Sequence, residues 1–336
     1  MWLRSHPDTP TEERSERSKK YFYPLEDCDN MDEEEYSREL KAVHLAQEAL
    51  ALMDEGDEMG AIELFERSLQ YDDELDESLG ALGALRFLKG ELGEAKELLL
   101  RARSMNGGNV DALVILPLIE SPPADHTSAL MNAGIGYIDF MQFPRAYIFF
   151  REVWRREPGE NRALSAMAFI SREMGRLDRS AEEYRELLKL SPGSWDVMFD
   201  LSVVLIKMGN FEEAEELLLN AVKMAPSVPQ IWNNLGFIKE VRGDLKEAKR
   251  LYKRALEADE NYYPSLYSIG RILQKEGKME EAMKYLERGL ELKSIFEIED
   301  VEGAERRRAE GGLHAKEVVT RPPEKKDDDE KRRRKQ

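Results

Sequence analysis

The chain contains one cysteine, Cys28, in 336 residues. A lone thiol forms no internal disulfide, which excludes a disulfide-stapled secreted scaffold and agrees with a reducing compartment. Long hydrophobic runs are missing too. The longest, Ala112 to Ile119, is interrupted by Pro117 and falls far short of the ~18 apolar residues that a membrane span requires. Residues 1–8 contain no apolar signal region. The expectation is a soluble, cytoplasmic protein with no membrane insertion. Histidine is scarce, with only His6, His44, His126 and His314, and none clusters with acids at metal-ligand spacing. The chain has no Gly-x-Ser-x-Gly, no P-loop, no His-Glu-x-x-His and no Cys-x-x-Cys. Gly134-Ile135-Gly136 begins like a dinucleotide fingerprint but ends at Asp139 with no preceding strand pattern. Acidic doublets such as Glu212-Glu213 and Glu215-Glu216 fall on the charged side of a helical pattern and read as solvated surface. No catalytic residue, cofactor or metal is expected, and the chain reads as a non-enzyme.

Charge, by contrast, is abundant and lopsided. Lys and Arg number 50 against 68 Asp and Glu, a net charge of −18. Residues 1–41 carry 12 acids and 7 bases, residues 297–336 carry 12 of each, and the stretch between holds 44 acids and 31 bases. Phosphate backbones are held by Lys and Arg, so the central stretch is a poor match for nucleic acid. It favours neutral, apolar or basic partners.

The dominant signal is a beat of 34 residues. Ala61 and Ala95 are one step apart, and Ala146, Ser180, Ala214, Ala248 and Ala282 keep the same step after one longer interval. Five places upstream stand Gly56, Gly90, Met141, Gly175, Gly209, Gly243 and Gly277. Four places downstream stand Phe65, Leu99, Phe150, Tyr184, Leu218, Tyr252 and Leu286. Self-similarity at this period denotes stacked supersecondary units rather than one globular core. Small residues occupy the middle of each first helix, where a paired helix approaches. The small residue of the second helix and its bulky neighbour one turn later share a face. Gly after the first helix suits a left-handed C-cap. Pro158, Pro192 and Pro226, also 34 apart, end their units because proline cannot continue a helix. At Met141, followed by Pro144, a different turn conformation is expected.

Trp232-Asn233-Asn234-Leu235-Gly236, then Ala248, Tyr252 and Ala255, is the clearest copy, and this pattern resembles the tetratricopeptide repeat. Units fall at 42–75, 76–109, 127–160, 161–194, 195–228, 229–262 and 263–296. The resemblance implies an all-α, right-handed superhelical solenoid of about seven helix-turn-helix repeats. Its organisation reads as an acidic, mostly disordered leader over 1–41, two repeats over 42–109, an interruption at 110–126, five repeats over 127–296, and a short capping helix followed by a charged disordered tail over 297–336. The interruption reads either as a surface loop with one packed helical turn or as a truncated half-repeat serving as a joint.

In this family the first helices line a concave groove in which partners lie, and the resemblance therefore implies a non-catalytic scaffold or adaptor that binds a protein or peptide. By place in the repeat, Ile135, Phe169, Phe199, Val203 and Phe237 are candidate apolar anchors. Asn132, Asn233 and Asn234 are candidates to orient the ligand backbone, and Met131, Asp200, Tyr267 and Arg271 complete the row. The phenylalanines are read alternatively as ordinary core. The basic clamp by which some members hold chaperone tails does not assemble here, because Arg162 alone is basic among the relevant places. Two other roles fit the same composition: an assembly chaperone or regulatory subunit, and an accessory arm of a separately encoded enzyme. Oligomeric state and partner identity are open.

Two flanking features stand apart from the repeats. Tyr21, Phe22, Tyr23, Pro24 and Leu25 form an aromatic cluster beside an acidic run, read as a docking motif, as a segment folding back on the array, or as a leader with chance aromatics. The run from Lys331 to Lys335 is basic, and reads as a solvated tail or as a nucleic-acid or nuclear-address element.

Overall fold

The computed structural model describes the backbone of residues 33–309 and the side chains of 37–294. Among these residues the chain is entirely helical, with 15 helices and no strand. The helices are α1 (Glu33–Glu55), α2 (Glu58–Tyr71), α3 (Asp76–Lys89), α4 (Leu92–Met105), α5 (Val110–Glu120), α6 (His126–Asp139), α7 (Phe143–Arg156), α8 (Asn161–Glu173), α9 (Leu177–Leu190), α10 (Trp195–Met208), α11 (Phe211–Met224), α12 (Pro229–Val241), α13 (Leu245–Ala258), α14 (Tyr263–Lys275) and α15 (Met279–Ala309). None is long and apolar enough to cross a membrane. The chain divides into two compact units between Phe140 and Met141. The aromatic cluster at 21–25, Cys28 and the basic run at 331–335 lie outside the described residues.

Both units are solenoid-type stacks of helix pairs. The beat read from the sequence is their packing seam. Ala61, Ala95, Ala146, Ser180, Ala214, Ala248 and Ala282 are all buried, as are Phe65, Leu99, Phe150, Tyr184, Leu218 and Tyr252. Each large side chain so buried contributes about 1.5–3 kcal/mol. The one polar member, Ser180, is accommodated because its hydroxyl donates to the Ala168 carbonyl at 2.7 Å. At Gly83, Gly236 and Gly270 the approach is equally close, for an added Cβ would stand 2.7 Å from Leu99, the Tyr252 ring and Leu286 respectively.

Turns between paired helices follow a common design. At Gly209 the backbone reaches φ 81°, and the Asn210 amide bonds back to Leu205 O at 2.8 Å, closing the last turn of α10. Glycine meets this conformation without a Cβ penalty. Met141 departs from expectation. Instead of another turn type it adopts φ 55°, the same left-handed region as the glycines, at a cost of about 1–2 kcal/mol for a residue with a side chain.

In the first unit, residues 110–120 are neither loop nor single turn. They form the three-turn helix α5, which packs on α3, α4 and α6 through Val114, Ile115, Leu116 and Leu118. The helix passes through Pro117 rather than stopping there. Its missing N–H would have served the Leu113 carbonyl, and both residues lie on the exposed side of the helix. Asn109 caps α5 through the Ala112 amide at 3.1 Å, and the Tyr137 hydroxyl donates to buried Asp111 at 2.7 Å.

In the second unit, helices begin at residues 161, 195, 229 and 263 in steps of 34. Ion pairs tie each pair to the next: Arg185 to Glu213 at 2.9 Å, Arg242 to Glu212 at 3.1 Å, and Lys249 to Glu276 at 2.6 Å. The last helix, α15, runs 31 residues to Ala309 without a break. Residues 297–309 thus prolong the last second helix rather than forming a separate short one.

Candidate functional site

In the second unit the first helices α8, α10, α12 and α14 stand side by side, and the contacts between them are specific. Arg172 on α8 reaches Asp200 on α10 at 3.6 Å, and α10 lies against α12. From α14, Ser265 donates to Asn233 Oδ1 on α12 at 2.9 Å, and Arg271 donates to Glu240 at 2.8 Å. Four successive first helices therefore form one continuous wall.

The wall is apolar at its centre and charged at both ends. Phe237 on α12 is 41% exposed and Tyr267 on α14 is 44% exposed. Val203 and Phe199 on α10 are half-buried, with Phe199 packed against the core formed by Leu201, Val204 and Leu235. Phe169 on α8 is half-buried under other constraints. Its ring meets Phe143 edge-on at 6.5 Å, and the Arg172 guanidinium covers it at 5.0 Å. At the α8–α10 end, desolvation pushes the Asp200 carboxyl up to about 6, against the opposing pull of Arg172. Its side chain still keeps contact with water. At the α14 end, Arg271 and Lys275 share one carboxylate, Glu240, at 2.8 and 3.4 Å. Both cations are half exposed while Glu240 is nearly enclosed.

Three of the expected site residues, Met131, Ile135 and Asn233, are less available than their place in the repeat implies. Met131 and Ile135 lie on α6, in the first unit, and are only 6 and 7% exposed. They present no surface for a partner and are part of the first unit's core. Asn233 commits its side-chain oxygen to Ser265, so it links α12 to α14 rather than offering that acceptor to a ligand backbone. Asn132 and Asn234 are both half-buried, the former on α6 and the latter on α12.

Sequence reasoning missed a buried polar cluster in the second unit. Glu183 on α9 is buried and accepts from the Tyr147 hydroxyl on α7 at 2.5 Å and from the Ser171 hydroxyl on α8 at 2.7 Å. Arg179 lies over the Tyr147 ring at 4.4 Å and 3.3 Å from the Glu183 carboxylate. Burial raises the Glu183 carboxyl above its ordinary range. The signal was present in the repeat register: the same place holds Leu64, Leu98, Phe149, Leu217, Leu251 and Tyr285 in the other six units. Among the described residues no group of three His, Cys, Asp or Glu gathers as a metal site.

Stacked helix pairs of constant period, joined through buried small residues, define the class of helical repeat proteins. Two family models, each described as a tetratricopeptide repeat, match residues 171–235 and 227–295. Residues 171–295 thus carry tetratricopeptide repeats. No curated protein matches it. Among solved structures it is similar to MamA from Desulfovibrio magneticus RS-1, with 18% identity, a TM-score of 0.46, and coverage of 51% of this chain and 97% of that one. It is similar to pilF of Pseudomonas aeruginosa, with 21% identity, a TM-score of 0.46, and coverage of 57% and 91%. A third is YrrB, described as a TPR protein with an unusual peptide-binding site, with 13% identity, a TM-score of 0.40, and coverage of 61% and 96%.

Proposed function

We propose that the chain is a non-catalytic interaction scaffold that holds a segment of another protein against the wall of α8, α10, α12 and α14. Tetratricopeptide repeat proteins are in general scaffolds of this kind. The observation that carries the reading is the exposure of Phe237 and Tyr267 on adjacent first helices, outside the buried clusters of their unit. Large aromatic rings left open beside a few polar groups form the composition of a recognition surface. Phe237, Tyr267 and Val203 are the anchors. Phe169 and Phe199 are a half-buried floor, and Asp200, Asn234 and Arg271 supply orientation.

The test is a double variant, Phe237→Ala with Tyr267→Ala, against a segment selected from a peptide library on the full chain. Binding falls at least tenfold, which is about 1.4 kcal/mol, while the melting temperature stays within a few degrees. Binding that survives the double variant overturns the proposal. So does a collapse in melting temperature, which would make the two rings core.

A further inference from the structure

The last second helix, α15, carries an apolar stripe that no described residue covers. Met279, Met283, Leu286 and Leu290 recur at steps of four, three and four, the spacing of one helix face. Met279, Met283 and Leu290 are 51, 55 and 56% exposed, and Leu286 is half-buried. Earlier second helices do not leave this face open. On α13 the same places hold Leu245, Lys249, Tyr252 and Leu256, of which Tyr252 is buried and the others half-buried. Leu245 and Leu256 pack against a cluster that includes Ile269, Ile272 and Leu273 of α14, the first helix of the next pair. On α15 the same face has no first helix after it. The helix runs unbroken to Ala309, so none of its residues turns back over the stripe.

The charges beside the stripe select its occupant. At about 100° per residue, Glu287, Glu280 and Glu291 lie ~70°, ~90° and ~110° to one side of its centre. None of the three makes an ion pair among the described residues. The nearest cation on that side, Lys284, lies further round at ~130°. Lys293, past the end of the stripe on the other side, is already engaged. A second copy of the chain is a poor match. Laid antiparallel, it would bring its own acidic rim against this one, and like charges so placed oppose association. Stacked end to end, it would offer α1, where the corresponding places are polar. There His44 and Glu48, paired at 3.7 Å, stand where the last pair has fully buried Ser265 and Ile269. We infer that the stripe of α15 seats an amphipathic helix of a partner protein, its apolar face flanked by Lys or Arg, in the place a further first helix would take. Stacked repeats expose an unmatched face at each end and need it covered. The inference is independent of the wall on α8 to α14, since it concerns other residues on another helix.

The probe is a synthetic amphipathic helix of about five turns, with leucines along one face and lysines flanking it. A twin carries glutamates in place of the lysines. Fluorescence anisotropy against the full chain gives at least tenfold tighter binding of the lysine peptide. Met283→Ser with Leu290→Ser removes that binding while leaving every charge of the protein in place, which separates docking from general attraction to an acidic chain. Glu280→Lys with Glu287→Lys abolishes the preference for lysine. Binding that survives the serine variant overturns the inference, as does a preference that the charge reversal leaves unchanged. So does failure of both peptides to bind. Light scattering completes the test: a wild-type dimer that the serine variant dissolves gives the face to a second copy and overturns the inference too.

Discussion

The Tyr147 hydroxyl donates to the Glu183 carboxylate at 2.5 Å across 36 positions of sequence, joining α7 to α9 at a place where every other repeat is apolar. Ser171 holds the second carboxylate oxygen at 2.7 Å. Three helices thus meet on one buried acid.

Removing that acid alone strands two buried hydroxyls. Glu183→Leu costs about 1–3 kcal/mol, the penalty for unpaired buried donors. Combining it with Tyr147→Phe and Ser171→Ala recovers more than half of the loss, because an apolar set leaves nothing unsatisfied. Urea unfolding of the single and combined variants gives the comparison. Strictly additive costs, within about 0.5 kcal/mol, would show that the three side chains do not act as a unit.

Asp200 sets a pH dependence of stability. Its carboxyl sits at about 6 in the folded chain against an ordinary 3.8. Between about pH 4 and 6 the folded state therefore keeps a proton that the unfolded state has released, and stability falls as pH rises through that window. The contribution is fully present below about pH 4 and gone above about pH 6. Asp200→Asn flattens this slope, so the variant gains on the wild type as pH is raised across the window. Unfolding midpoints measured across it check the sign, and parallel profiles would remove Asp200 from the account.

Met141 holds a turn that six glycines hold elsewhere. Met141→Gly relieves its left-handed strain and offsets this with added freedom in the unfolded chain, for a net gain of about 0.5–1 kcal/mol. The same exchange in reverse, Gly209→Met, costs about 1–2 kcal/mol. Differential scanning calorimetry of the two variants reads both directions. A destabilised Met141→Gly would mean that the methionine side chain is held by contacts its exposure does not suggest.

The helical stack was legible because its seam recurs at fixed spacing and tolerates only small residues. Ala61 through Ala282 report one physical constraint seven times. The candidate site was less legible, because place in the repeat does not decide exposure. Ile135, Phe169 and Phe237 occupy the same place, yet the first is buried, the second half-covered and the third open. What separates them is the approach of neighbouring helices, which no single unit encodes. Glu183 escaped notice for a related reason: its oddity appears only when a place is compared across all units. Pro117 interrupts the longest apolar run in sequence, yet α5 continues through it because both Pro117 and Leu113 lie on the exposed side of the helix.

Arg185 with Glu213, Arg242 with Glu212 and Lys249 with Glu276 each bridge one helix pair to the next, and all three lie where dissolved ions reach them. Ionic strength screens them together. Raising the salt therefore weakens these three links between helix pairs, each of them modest as exposed ion pairs are, and leaves the buried seam to hold the second unit together.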